Sequence, residues 1–543
     1  MRLWLDGAGF APLAAIVFSL SLAFAEPFVA RVPHSSQNRA QQARADVARF
    51  RGRLEAILAQ EHASKANWGV LIIDRDTGET LYDLNSRRFF APASTAKIFV
   101  TALALATLGS DYRFRTTLEA KNAIDSSGRL ASDLTLVGRG DPDLSNVKFP
   151  FAGRIERDGP AEKGLADLAD AVVAKGLREV DGDIIADDSY FPYDPYPAKW
   201  TIGDLFFEYA GPINALTFNE NVVTVVVGPG SREGDPARIE TEPAAALQSF
   251  SHDVLTTAAG GQPQFAVVRQ PGLDFVLLRG TIPAGHAPAR VNLAMTQPAE
   301  TAGLALKQLL ESRGVRITGQ VRVQHSPPPV TTASGDPVIV PNTPALPQPN
   351  PVVLAERQSP RLIDDLRLTN KVSQNLHAEI LLRTVGREKF GLGSTAAGLK
   401  IERDFLRAAG IADDEVILSD GSGLARDDLV TPRAVVALLR YAAGQPWGGQ
   451  FLSTLPVSGT DGTLQDRMKN TPAAGLIQAK TGTIEHDYGL SGYATTAGGE
   501  YLAFAMYSGN SPEKSHEGDL AIDSIAEAMV QTLGPKRPAK KKK

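Results

Sequence analysis

The sequence predicts an α/β (α+β) protein in which the two ends of the chain share one domain and a β-rich insert interrupts it. Three observations lead there. Residues up to 108 combine two helical stretches with a strand hairpin, and residues 116–325 break into short β-like runs. The C-terminal part returns to helices and closes with three strands and a helix. At roughly 150 residues per domain, 543 residues leave room for two to four folding units.

Residues 10–24 form an apolar run ending in Ala23-Phe24-Ala25, the small-x-small pattern of a signal-peptidase site, before Glu26-Pro27. With Arg2 as its only basic residue, offset by Asp6, it reads as a secretory signal cleaved after Ala25; retention as an N-terminal anchor is the alternative. Residues 26–45 are polar and read as a disordered leader. Val47, Phe50, Leu54 and Leu58 recur at helical spacing, which predicts an amphipathic helix over 47–61. Runs 68–73 and 80–84 flank Asp76-Thr77-Gly78-Glu79, a hairpin signal. Next comes an apolar helix over 94–108, closed by Gly109 in the position after the C-cap.

From 116 to 325 the runs at 134–137, 183–186, 222–227, 265–268 and 275–278 are separated by Gly, Asp and Pro. They predict one or two inserted β-rich domains over 116–326. Pro327-Pro328-Pro329 opens a Pro-rich loop over 327–351. Helical texture returns at 362–385 and 396–409. Strands follow at 477–484, 489–495 and 501–508, the last two joined through Gly498-Gly499, and a helix at 521–533 covers them. Residues 46–115 and 352–533 are therefore assigned to one split domain, and 534–543 to a basic tail.

Composition narrows the function classes. The 43% hydrophobic, 22% charged and 7% aromatic fractions exclude wholesale disorder, collagen and coiled coil. With no cysteine, disulfides, thiolate zinc sites and cysteine nucleophiles are impossible. The net charge is −5, and without the six basic residues of 536–543 it is −11, so nucleic acid is not an expected partner. Two readings of that tail stay open, a weak contact with anionic envelope surfaces and a solvated tail. The eight histidines show no metal-ligand spacing, and no cofactor or metal is expected. His377-Ala378-Glu379 reads as packing or capping, and the Asp141/Asp143 pair as a turn.

Three short stretches carry chemistry. In Ser94-Thr95-Ala96-Lys97, a spacing of three puts hydroxyl and amine on one helical face. A serine needs a base to attack, and burial lowers a lysine's pKa enough to make it one. A serine at a helix N-terminus also offers N–H groups to a developing oxyanion. Ser373-Gln374-Asn375 lies early in a predicted helical region. Lys480-Thr481-Gly482-Thr483 lies in a predicted strand, where Gly482 lets a substrate backbone approach closely.

In that order the three resemble the signature of penicillin-binding proteins and serine β-lactamases. Ser94 and Ser373 are 279 residues apart, too far for a compact β-lactamase, and Ser373 and Lys480 are 107 apart. The large insertion resembles the class C low-molecular-mass penicillin-binding proteins, the D-alanyl-D-alanine carboxypeptidase/endopeptidase family. Asp420-Gly421-Ser422-Gly423-Leu424-Ala425-Arg426 resembles a family element, with Ala425 in place of the usual serine. So do Leu455-Pro456 through Asp461-Gly462-Thr463-Leu464, Gly140-Asp141-Pro142 and Asp187-Asp188-Ser189.

The resemblance implies a penicillin-binding/β-lactamase-like transpeptidase domain, an antiparallel sheet flanked by helices. It implies a periplasmic serine DD-peptidase acting on peptidoglycan stem peptides, with β-lactams as covalent inhibitors. Ser94 would be the nucleophile and Lys97 its base. Ser373 would relay a proton to the leaving amine, with Asn375 holding Lys97 and the substrate amide. Lys480, Thr481 and Thr483 would bind the terminal carboxylate, and the N–H groups of Ser94 and Thr483 would form the oxyanion hole. Asp204 and Tyr209, after Trp200, resemble the inserted pocket that takes the free end of a diaminopimelate side chain. Ser422, Gly423, Leu424 and Arg426 would border it, and Ile484 would line it. Two alternatives remain: a β-lactamase or esterase on the same site, and a non-catalytic peptidoglycan-binding protein. Oligomeric state is not legible.

Overall fold

The computed structural model describes residues 44–268, 275–329, 350–511 and 517–534. The expected signal, the leader up to residue 43, the Pro-rich stretch from 330 to 349 and the basic tail from 535 lie outside the described residues, and Ala45, assigned to the leader, begins the first helix.

The central sheet has five strands in the order Ile477–Ile484, Asp487–Thr495, Tyr501–Gly509, Asn67–Asp74, Thr80–Leu84, all antiparallel. The N-terminal hairpin thus adds to the edge of the C-terminal meander, with Leu71 opposite Ala505. Strand alternation sorts the side chains onto two faces. Leu71, Ile73, Ala503, Ala505 and Tyr507 join one core with the helix Lys97–Leu108. Val70, Ile72, Leu502, Phe504 and Met506 join the other, under the helices Ala45–Leu58 and Glu517–Thr532. Both faces are covered, which is why these strands read as nearly continuous apolar runs.

The apolar stretch after Pro92 departs from its expectation at the start. Ala93–Ala96 forms a 3-10 turn and the α-helix proper begins at Lys97. Ile98 to Leu105 are buried, so this helix is surrounded on all sides, as its uniform hydrophobicity requires. Gly109 ends it with φ 84, a conformation open to glycine. The predicted helix at 362–385 is instead two helices, Leu362–Lys371 and Asn375–Phe390, broken where Ser373 takes φ 63.

The insert is less purely β than its texture suggests. Its main sheet, Val321–Ser326, Ile184–Pro192, Leu134–Val137, Arg115–Ala120, Val352–Gln358, is packed by two helices, Lys163–Ala174 and Pro298–Ser312. Both helices carry clear 3.6-residue apolar stripes (Leu165, Leu168, Ala169, Val172; Ala302, Ala305, Leu306, Leu310), a signal passed over beside the Gly- and Pro-rich runs. The strand Val352–Gln358, assigned from sequence to the split domain, pairs with Arg115–Ala120 in the insert's sheet. Two three-stranded sheets, one centred on Val222–Gly228 and one on Val276–Pro283, share a small valine-rich core. Phe191, Trp200, Ala210 and Ile213 of the insert join the core around the helix Lys97–Leu108, so the insert helps build the region around that helix's N-terminus.

Candidate active site

Ser94, Lys97, Ser373, Asn375 and Lys480 meet although they come from three distant stretches. Lys97 is fully buried, and its Nζ lies 2.9 Å from Ser94 Oγ, 2.6 Å from Asn375 Oδ1 and 2.7 Å from the Ser422 carbonyl oxygen. Asn375 is oriented because its Nδ2 donates to the Tyr209 carbonyl at 2.9 Å. Two of the three partners of Nζ can therefore only accept. A neutral amine has two N–H groups to give them, and its lone pair is left for the Ser94 hydroxyl. Burial pushes this amine from 10.5 down to about 7, against the opposing pull of the Asp420, Glu379 and Asp428 carboxylates.

Lys480, also fully buried, donates to Ser373 Oγ at 2.9 Å and to the Thr481 carbonyl at 2.9 Å. Burial, and then the charge of Lys97, push it well below its ordinary value. A carboxylate arriving beside it would reverse that shift. The Thr481 hydroxyl turns to Thr463 Oγ1 at 2.8 Å. The loop bearing Thr463 is fixed by the ion pair of Lys371 with Asp461 at 2.6 Å. Gly482 also serves a packing contact within the protein. A Cβ there would lie 2.5 Å from the Pro92 carbonyl oxygen and 3.1 Å from the Thr95 nitrogen, so the turn bearing Ser94 packs on this strand. Gly423, at φ 79, makes room for the Ala93 carbonyl in the same way.

A cavity of about 620 Å³ opens beside Ser94. It is lined by Ser94, Asp204, Tyr209, Ser373, Asn375, Gly423, Leu424, Arg426, Thr483 and Ile484, all singled out from the sequence, and by Glu485, His486 and Tyr488, which were not. Asp204 is buried at the cavity wall, accepting from the Thr201 hydroxyl at 2.7 Å and from the Tyr209 hydroxyl at 3.2 Å. Arg426 stands 3.8 Å from it, and Phe207 stacks on Tyr209. Ser422 is absent from the cavity wall. Its side chain is buried against Asp420, and it contributes only its backbone carbonyl, to Lys97.

Two buried acids shape that carbonyl's loop, and the sequence reading gave neither a part in the site. Glu379 accepts from the Gly421 and Ser422 N–H groups at 3.0 and 2.8 Å. Asp420 accepts from the N–H groups of Ser422, Gly423, Leu424 and Ala425 and from the Trp200 indole at 2.8 Å. The available signal was Glu379, four residues after Asn375 and so on its helical face. Burial, with Asp420 adding to it, raises Glu379 to about 8 and Asp428 to about 10. Among the described residues, no helix is long and apolar enough to cross a membrane.

Comparison with known proteins gives this geometry a family. Residues 50–529 match the D-Ala-D-Ala carboxypeptidase 3 (S13) family. The chain is 34% identical over 499 residues to the D-alanyl-D-alanine carboxypeptidase of Actinomadura sp. (strain R39), covering 89% of this chain and 85% of that one. It is 25% identical over 460 residues to the D-alanyl-D-alanine carboxypeptidase DacB of Haemophilus influenzae, covering 83% and 87%. Its fold is similar to the crystal structure of penicillin binding protein 4 (dacB) from Haemophilus influenzae. The TM-score is 0.72 at 23% identity, over 88% of this chain and 98% of that one. A second structure of that protein, complexed with a β-lactam, gives a TM-score of 0.66 at 22% identity over 89% and 98%. The expected transpeptidase-like α/β fold is thus the fold observed. The chain belongs to the D-Ala-D-Ala carboxypeptidase 3 (S13) family and is a serine-type carboxypeptidase.

Proposed function

We propose that this protein is an envelope DD-peptidase that hydrolyses peptidoglycan stem peptides through a Ser94 acyl-enzyme, acting both on terminal D-Ala-D-Ala and on cross-links whose leaving side is diaminopimelate. The observation that carries the reading is a fully buried Lys97 amine whose Nζ lies 2.9 Å from Ser94 Oγ. Lys97 takes the serine proton as Oγ attacks the carbonyl between the two D-alanines. The Ser94 and Thr483 N–H groups take the developing oxyanion. Collapse of the tetrahedral intermediate breaks the C–N bond, and a proton passes through Ser373 to the leaving amine. Water then releases the acyl group. Lys480, with Thr481 and Thr483, meets the terminal carboxylate, a charge-assisted contact.

The wall formed by Asp204, Tyr209, Leu424, Arg426 and Ile484 suits a zwitterionic side-chain end, with Asp204 for its ammonium and Arg426 for its carboxylate. A β-lactam presents an amide carbonyl and a carboxylate at similar spacing and would acylate Ser94. The split-domain organisation and export by the N-terminal signal, placing the enzyme in the periplasm, belong to the same reading.

The test is covalent labelling by fluorescent penicillin, with digestion of a defined pentapeptide monomer and a cross-linked dimer followed by mass analysis. Wild type labels and releases D-alanine from the monomer, and Ser94→Ala does neither. An unlabelled wild type overturns the acyl-enzyme. Fast penicillin turnover without a trapped adduct would instead assign a β-lactamase, and an uncut dimer removes the endopeptidase half.

A further inference from the structure

Apart from the Ser94 cavity, the structure brings together Asp143, Asp365 and His377, none of which lines that cavity. Asp143 belongs to the turn Gly140-Asp141-Pro142-Asp143, Asp365 to the helix Leu362–Lys371 and His377 to Asn375–Phe390. All three are buried, at 2%, 0% and 0% exposure. One ligand atom from each lies within 4.8 Å of the other two.

The polar atoms there are unusually unsatisfied. Both Asp143 carboxylate oxygens, Asp365 Oδ2 and His377 Nε2 are buried without a hydrogen-bond partner. His377 Nδ1 pairs with Asp365 Oδ1 at 2.5 Å. A buried polar atom without a partner is costly, so four of them on three neighbouring residues call for an explanation.

Charge supplies it. The neighbouring acids already have cations: Asp141 pairs with Arg357, and Glu220 with Arg157 at 3.3 Å. Arg357 also donates to Asp143, but to its backbone carbonyl, at 2.7 Å. That leaves two carboxylates and one imidazole. With both carboxylates ionised, a protonated imidazole would leave the group one charge short of neutral. A divalent cation with two carboxylates and a neutral imidazole sums to zero.

We propose that Asp143, Asp365 and His377 bind a divalent transition-metal ion, Zn²⁺ in the first instance. An imidazole with two carboxylates is a donor set for zinc, whereas Ca²⁺ takes six to eight oxygens and Mg²⁺ keeps several waters. With ligand bonds of about 2.0–2.2 Å, the three atoms close in by about 1 Å to converge on one ion. The site is structural. It fastens the insert's turn to both helices beside the break that presents Ser373 and Asn375. Sequence spacing could not reveal it, because the ligands stand at 143, 365 and 377.

The test uses untagged full chain prepared without a metal column. Elemental analysis, zinc calorimetry and melting are run before chelation, after it and after adding back ZnCl₂. Wild type should hold one zinc per chain that chelation removes, with the melting temperature falling by about 3–5 °C and returning on reloading. Asp143→Asn and His377→Gln should lose that equivalent and the shift. Should those variants not fold, Co²⁺ added to the stripped wild type decides. A visible d–d band of a low-coordinate nitrogen and oxygen site supports the proposal, and a spectrum of hydrated cobalt overturns it. It is equally overturned if stripped and reloaded wild type melt together, or if Asp143→Asn retains the zinc. In either case the cluster holds a shared proton.

Discussion

Lowering the pH titrates one amine on which the proposed acylation depends. Burial sets Lys97 at about 7, so its neutral fraction is about 90% at pH 8, about 50% at pH 7, about 10% at pH 6 and about 1% at pH 5. The second-order rate of penicillin acylation, read by stopped-flow fluorescence, should therefore be level above pH 8. It should fall about 90-fold by pH 5, with unit slope below the break near 7. A solvated lysine at its ordinary value would give no break, only a tenfold rise per pH unit throughout. A rate flat from pH 5 to 8, or one still climbing tenfold per unit at pH 8, would refute the reasoning. The same shift fixes a sign for stability. The folded value lies below the unfolded one, so between about 7 and 10.5 the unfolded chain binds more protons and stability rises with pH. Below 7 the buried ammonium costs the native state its full penalty, about 4–5 kcal/mol.

Other perturbations separate the parts of the site. Asp204→Asn and Arg426→Ala should raise KM for a stem peptide with a free diaminopimelate end by about tenfold or more while changing penicillin acylation less than threefold; equal losses on both substrates would remove the pocket's role. Gly482→Ala places a methyl 2.5 Å from the Pro92 carbonyl, so it should cost about 1–3 kcal/mol in urea unfolding and slow labelling at least tenfold, and unchanged labelling would show the contact to be dispensable. Trp200→Phe removes the 2.8 Å bond to buried Asp420, costing about 1–3 kcal/mol. Because Asp420 shapes the loop whose carbonyl holds Lys97, acylation should slow as well, and lost stability with full kinetics would uncouple the two.

Much of the fold was legible where local physics is strong. The meander and the first hairpin showed as apolar runs with turn residues between them, and their bounds differ from expectation by at most two residues. The helices of the insert were missed, although the stripe of Leu165, Leu168, Ala169 and Val172 was there to read. The break at Ser373 left no trace, since a serine at φ 63 is held there by its tertiary surroundings rather than by its own preference. Ser422 was placed in the wall by its motif, but a motif does not say which way a side chain turns.

The sequence by itself determined the candidate nucleophile, the two lysines and the order of the three motifs, because the proposed chemistry demands those residue types at local spacings that a turn or a strand preserves. Tertiary structure alone decided what those residues are worth. Only folding removes water from Lys97, brings Asn375 and the Ser422 carbonyl to it from 278 and 325 residues away, and so lowers the pKa of an otherwise ordinary ammonium. Burial and long-range proximity belong to the packed chain, and no short stretch of residues encodes them.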